Sequence, residues 1–212
     1  MSKAEEILNF LEERYPDARC QLNYRTDYEL LFAVMLSAQA TDKSVNQVTE
    51  KLFERYPDLN AFAKANPDEI ERIVHSVGLG KSKAKNIVLT AQILMNRYGG
   101  KVPESKEALT SLPGVGRKTA NVVRIEGFRI PEIPVDTHVE RVAKRLQLAD
   151  EKDTPFQVEE KLREAIPEDR WIRSHHQLIF FGRDLCKSRN PFCESCALQA
   201  HCLYARQSKE KE

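Results

Sequence analysis

An all-α fold is what the sequence predicts, on three observations. Apolar residues recur at helical spacing along most of the chain, as in Leu30, Leu31, Val34 and Met35, then Val45, Val48, Leu52 and Phe53. Helix breakers cut this pattern into lengths typical of globular helices: Tyr56-Pro57-Asp58, Asn66-Pro67, Gly78-Leu79-Gly80, Gly99-Gly100, Pro113-Gly114, Pro131 to Pro134, and Pro167. No stretch alternates apolar and polar residues as a half-buried strand does.

In chain order, Met1 to Tyr15 reads as an amphipathic helix, with Ile7, Leu8, Phe10 and Leu11 set among Glu and Arg. The apolar helix over Leu30 to Leu36 follows, with Gln39 near its end, and then the segments between the breakers. Ser76 to Ala84 and Leu112 to Ala120 repeat one plan: apolar, Gly, apolar, Gly, basic or small polar residues, then a helix. Both read as tight turns whose glycines take backbone angles closed to other residues. Ile130 to Val135 is apolar but interrupted by two prolines, which makes it a linker. A helix runs from Thr137 to about Leu146, with Asp136 at the N-cap position. The charged tail from Gln207 is expected to fray.

The length of 212 residues suits one large domain or two small ones. Hydrophobic residues at 41% supply a core and charged residues at 31% a soluble exterior. A net charge of +1 does not announce a nucleic-acid partner, so any phosphate-binding surface must come from local clustering. The charged N-terminus has no apolar signal region, and Leu30 to Leu36 is too short to cross a bilayer. The expectation is a cytosolic protein without membrane association, whose five cysteines are ligands or buried thiols before they are disulfides.

The turn from Leu112 to Gly116 lies between a helix ending near Ser111 and another beginning near Arg117. Gly114 and Gly116 let a ligand approach the backbone. The first N–H groups of the second helix carry the positive end of its dipole, and Arg117 and Lys118 add charge at the same place. A DNA phosphate fits such a site. Lys81, Lys83 and Lys85 offer a second basic edge after the earlier turn, where a plain helix C-cap at Gly78 explains the glycine equally well. Near the other end, Cys186, Cys193, Cys196 and Cys202 follow the pattern C-x6-C-x2-C-x5-C. Four thiolates in so short a segment suit tetrahedral zinc or an iron-sulfur cluster, and the single close pair leans toward the latter. Lys187 and Arg189, between the first two ligands, would be held out toward DNA. Cys20 lies outside the pattern, as a buried or idle thiol.

Leu112-Pro113-Gly114-Val115-Gly116-Arg117-Lys118-Thr119-Ala120-Asn121-Val122-Val123, followed by Val135-Asp136-Thr137-His138-Val139-Glu140-Arg141-Val142, resembles the endonuclease III family of helix-hairpin-helix DNA glycosylases. The similarity runs over almost the entire chain and includes Leu36 to Asp42 and the cysteine cluster. It implies a six-helix barrel domain over 20–130, and a helical iron-sulfur domain from 1–19 and 131–212, with a cleft between them. It implies a bifunctional glycosylase and abasic-site lyase of base excision repair that acts as a monomer on double-stranded DNA carrying oxidised pyrimidines of the thymine glycol type, or abasic sites, in the bacterial cytoplasm at the nucleoid. By the same resemblance Lys118 is the nucleophile and Asp136 its assisting carboxylate. Gln39 and Leu79 enter the duplex where the flipped nucleotide stood, and the four cysteines hold a [4Fe-4S] cluster; the DNA contacts expected from the residues themselves are Gly114, Gly116 and Arg117 at the helix start, with His138 as a structural or phosphate contact.

The chemistry asks for the same residue types. A stacked base must be extruded and its gap filled before an enzyme can act on it. Attack on C1′ needs a neutral amine, favoured by desolvation or a neighbouring cation such as Arg117. Each residue also has a plainer role: Asp136 as an N-cap, His138 as a structural contact, Gln39 as a polar helix end, Leu79 as packing. Departures from the family stand at Arg124, Glu126 and Arg129, where smaller and less charged residues are usual, and at Gly80, where an aromatic residue is common. One rival shares the scaffold, a monofunctional adenine or mismatch glycosylase, which lacks a lysine at the Lys118 position; the other, from a different class, is a non-catalytic DNA-binding or electron-transfer iron-sulfur module, which would not require both Lys118 and Asp136.

Overall fold

In the computed structural model, which describes residues 2–209, every regular element among the described residues is helical. In chain order these are α1 (Lys3–Arg14), α2 (Asp27–Leu36), α3 (Asp42–Arg55), α4 (Leu59–Ala63), α5 (Pro67–Val74), α6 (Gly80–Tyr98), α7 (Lys106–Thr110), α8 (Arg117–Gly127), α9 (Thr137–Arg145), α10 (Pro155–Ala165), α11 (Trp171–Asp184) and α12 (Leu203–Lys209), with 3-10 turns at His75–Val77, Glu168–Arg170 and Gln199–His201. Of the tail from Gln207, expected to fray, residues 207–209 belong to α12 and the rest lies outside the described residues. No helix among the described residues is long and apolar enough to cross a membrane.

The chain divides into two compact units, Gln21–Ile130 and Met1–Cys20 with Pro131–Glu212. In the Gln21–Ile130 unit, α2 is buried from Glu29 through Leu36, so it is apolar on all sides rather than on one stripe. Its one buried charge, Glu29, is paired with Arg25 at 2.8 Å. Phe32 and Phe62 pack edge to face at 4.9 Å in the centre of this core.

Most helices of this unit begin on a side chain that accepts a backbone N–H, namely Thr26, Thr41, Asp58, Asn66 and Ser105. The exceptions are α6, which begins on Leu79, and α8, which begins on Gly116. These are the helices that follow the two glycine turns.

In the other unit, α1 and α9 pack against α11 through Ile7, Leu11, Val139, Val142, Leu178 and Phe181. The segment between Ile130 and Asp136 has no regular structure, as the prolines require, yet it is buried rather than a solvated linker. Ile133 is fully buried, Glu132 pairs with Arg163, and the Pro134 carbonyl meets His175 Nδ1 at 2.8 Å. Asp136 is therefore delivered to the start of α9 by a pinned stretch of backbone.

Candidate active site and metal centre

The turn between α7 and α8 is held by Leu112 and Val115, both buried, and by the Val115 N–H donating to the Leu112 carbonyl at 3.1 Å. Gly114, Gly116, Arg117 and Lys118 stay exposed around this anchor. The two glycines have different causes. Gly114 has φ +77°, and a Cβ built there would lie 2.5 Å from Asn86 Nδ2, so the fold itself demands glycine. Gly116 has φ −89°, open to any residue, and a Cβ there would meet nothing within 4 Å. Nothing in the folded chain asks for glycine at 116; what its missing side chain leaves is room for another molecule to approach the start of α8. Lys118, the second residue of that helix, is exposed directly beside it.

Gln39 and Leu79 belong to the same unit. Gln39 does not close α2, which ends at Leu36; it stands beyond the helix, exposed, with φ 58°. Leu79 is 61% exposed, so it does not simply pack, and has φ 52°. Two non-glycine residues in the left-handed region each cost on the order of 1–3 kcal/mol and persist only where surroundings over-determine them.

Near both lies Lys83, which the sequence reading groups with the surface lysines Lys81 and Lys85. It is no basic edge toward DNA: it is buried, and its Nζ donates to the carbonyls of Leu36 at 2.9 Å, Ala38 at 2.8 Å and Val77 at 2.8 Å. Hydrogen bonds from a charged donor contribute roughly 1.5–3 kcal/mol each. Burial holds the Lys83 ammonium below the usual lysine range. Gly80 sits close to the preceding 3-10 turn: a Cβ there would come within 3.2 Å of the His75 backbone, so a side chain would need that turn to shift by a few tenths of an ångström.

Asp136 is the N-cap of α9: its Oδ1 accepts from the N–H groups of His138 at 2.9 Å and Val139 at 2.8 Å. His138 is half-buried against Gly182, where a Cβ would come within 3.0 Å of it, and its Nδ1 lies 3.2 Å from Arg141 Nη2. Burial, with the nearby Arg141 and Arg183 charges, pushes the imidazole below its ordinary value against a weaker opposing pull from Asp136. A neutral ring at pH 7 is placed to pack and to hydrogen-bond, and brings no charge for a phosphate.

Cys186, Cys193, Cys196 and Cys202 line one pocket together with Arg145 and Tyr204. Cys20 does not. Arg145 Nη1 lies 3.4 Å from Cys186 Sγ, its guanidinium stacks 4.1 Å over the Tyr204 ring, and Arg141 Nε donates to the Cys186 carbonyl at 3.1 Å. The metal-side loop is thereby tied to α9, the helix that Asp136 caps. Burial pushes the Cys193 and Cys196 thiols up, and the neighbouring sulfurs push the same way. A cation that binds thiolates removes both penalties, so the all-sulfur donor set fits a metal centre. Among the described residues no three donors form a geometry for a single ion. Lys187 and Arg189 are exposed in this loop, Lys187 lying 4.6 Å over the Phe192 ring.

Residues 32–168 match the family model described as HhH-GPD superfamily base excision DNA repair protein. Among curated relatives, endonuclease III of Bacillus subtilis is 41% identical over 211 residues, covering 100% of this chain and 96% of the relative. Endonuclease III of Escherichia coli K12 is 45% identical over 206 residues, covering 96% and 97%. Two solved structures, a trapped endonuclease III–DNA covalent intermediate and a non-covalent endonuclease III–DNA complex, superpose with TM-scores of 0.94 and 0.95 at 43% and 42% identity, each covering 99% of both chains. A thermostable thymine-DNA glycosylase shares the fold, with a TM-score of 0.85 at 24% identity.

Proposed function

Since the chain belongs to the HhH-GPD superfamily of base excision DNA repair proteins, and within it to the endonuclease III enzymes, we propose that it is a bifunctional glycosylase and abasic-site lyase that excises oxidised pyrimidines of the thymine glycol type from double-stranded DNA. The observation that carries this reading is Lys118: an exposed primary amine beside an uncapped helix start and a glycine whose missing side chain the fold does not need. The lysine also separates the reading from a monofunctional glycosylase.

In this mechanism DNA phosphates lie against the N-terminus of α8, where Gly114, Gly116 and Arg117 admit and hold them. The damaged nucleotide is everted, and Gln39 and Leu79 fill the space it leaves. Neutral Lys118 Nζ forms a bond to C1′ as the C1′–N glycosidic bond breaks, and the base departs with a proton. The sugar ring opens to an imine between Lys118 and C1′. The imine acidifies the C2′ proton; its removal expels the phosphate from C3′ and breaks the strand. Asp136 moves protons and stabilises positive charge on the opening sugar. Cys186, Cys193, Cys196 and Cys202 would hold a [4Fe-4S] cluster, which when bound supplies thiolate-to-iron bonds that fold the loop and takes no part in the reaction steps. The protein acts as a monomer in the bacterial cytoplasm.

A cleavage panel over duplexes with defined lesions, scoring base release and strand nicking separately, tests this. Both products are expected from thymine glycol. Release without nicking removes the lyase half, and inertness toward every oxidised pyrimidine removes the substrate class.

The glycines supply a second expectation. Gly116→Ala changes stability by less than about 1 kcal/mol, because no contact is made and the backbone is open to alanine, the poorer N-cap propensity of alanine being partly offset by the lower freedom of its unfolded chain, yet it weakens duplex binding. Gly114→Ala loses stability by roughly 1–3 kcal/mol, from its left-handed backbone and the crowding by Asn86. Thermal melts beside DNA titrations distinguish the pair, and normal duplex binding by Gly116→Ala would leave that glycine without a phosphate role.

A further inference from the structure

The three carbonyls that Lys83 holds come from two segments far apart in sequence. Leu36 ends α2, and Ala38 stands two residues on, immediately before Gln39. Val77 ends the 3-10 turn, two residues before Leu79. An ammonium has three N–H donors, and these three acceptors use them all. The Leu36 and Val77 carbonyls also lie at helix C-termini, where the macrodipole presents negative charge and carbonyls lack partners within the helix. A buried cation is stable there, and it ties both segments to α6, the helix on which Lys83 itself stands.

The two residues next to this clamp are both exposed and in the left-handed region, Gln39 at φ 58° and Leu79 at φ 52°, a backbone that Arg129, Gln147 and Asn190 also take elsewhere in the chain. An unrestrained loop relaxes such angles, so their persistence at an exposed position implies a constraint from the backbone beneath. We infer that Lys83 is a positioning residue: its buried ammonium, by holding the Leu36, Ala38 and Val77 carbonyls together, presets Gln39 and Leu79 as one rigid wedge for the gap left by an everted nucleotide. This rests on the reading above that Gln39 and Leu79 enter the duplex, and adds the element that joins them. Preorganisation lowers the cost of ordering two side chains at the moment of binding.

The test uses the full chain and two duplexes, one undamaged and one carrying a tetrahydrofuran abasic analogue that cannot be cleaved. Lys83→Met keeps the side-chain length and apolar stem. It is expected to lose about tenfold in affinity for the analogue duplex while binding the undamaged duplex as before, and to add nothing further when combined with Leu79→Ala or Gln39→Ala, the signature of residues acting through one another. A parallel loss on undamaged DNA, or additive losses in the combined variants, overturns the clamp. If Leu79→Ala and Gln39→Ala bind the analogue normally, the duplex-entry reading fails instead. Should Lys83→Met not fold, hydrogen exchange on the unmodified protein decides: the bonded amides on either side of the clamp, Ala40 to the Ser37 carbonyl and Gly78 to the His75 carbonyl, are expected to exchange as slowly as those of the adjoining helices, and free exchange at both overturns the proposal.

Discussion

Lys118→Gln is expected to abolish the borohydride-trapped adduct with damaged DNA and to lower strand nicking by at least about a thousandfold, the scale seen when a nucleophile is removed. The same variant keeps its fold, with stability within about 0.5 kcal/mol, because Lys118 is exposed and glutamine is as good a helix former as lysine. Duplex affinity falls only by the loss of one charge near the phosphates. Base release falls together with nicking, since the amine displaces the base in the same step that forms the covalent bond. Denaturing gels with and without borohydride, run beside thermal melts and titrations on undamaged duplex, read all of these. A variant that still traps assigns the imine to another amine.

Much of this site is legible in the residues themselves, for reasons that differ from one part to the next. The helices are written in apolar periodicity, and their starts in capping residues such as Thr26, Thr41 and Asp136. The turn at Leu112 to Gly116 is readable because two glycines, a helix start and a basic pair coincide, and the cysteines because their spacing has few other uses. What is not legible is set by tertiary packing. Lys83 looks like its neighbours Lys81 and Lys85, and only the fold reveals that its amine is turned inward onto three carbonyls. The one signal in the sequence is its position, a turn inside a helix start that lacks a side-chain cap. The tight approach of Gly80 to His75, on the preceding 3-10 turn, is likewise visible only in the fold. Gln39 and Leu79 stand out by family resemblance alone, since a polar residue after a helix and a leucine in a turn carry no chemistry that spacing can reveal. Their left-handed backbones are the physical trait that marks them, and φ is not encoded at non-glycine positions in any simple pattern.

Asp136 is where the plain role and the chemical one coincide, and substitution can separate them. Both capping bonds fall on Oδ1, so the start of α9 uses one oxygen of the carboxylate. Asparagine at this position would cap as well as aspartate, because its amide oxygen accepts the same two N–H bonds, while the second oxygen and the charge are gone. Asp136→Asn is therefore expected to lose only about 0.5 kcal/mol of stability, through the helix dipole, yet to lose base release by on the order of a hundredfold to ten-thousandfold, the range for a positioned acid or base. Asp136→Ala suffers the same loss of activity and a further roughly 1 kcal/mol of stability, from the orphaned N–H groups. If the activity of Asp136→Asn is intact while that of Asp136→Ala falls in step with its stability, the carboxylate is a cap and nothing more. If both lose activity and only the alanine variant loses stability, the charge acts on the substrate. Borohydride trapping on a preformed abasic site then locates the loss: an adduct that still forms there places the role of Asp136 before the imine, in the departure of the base.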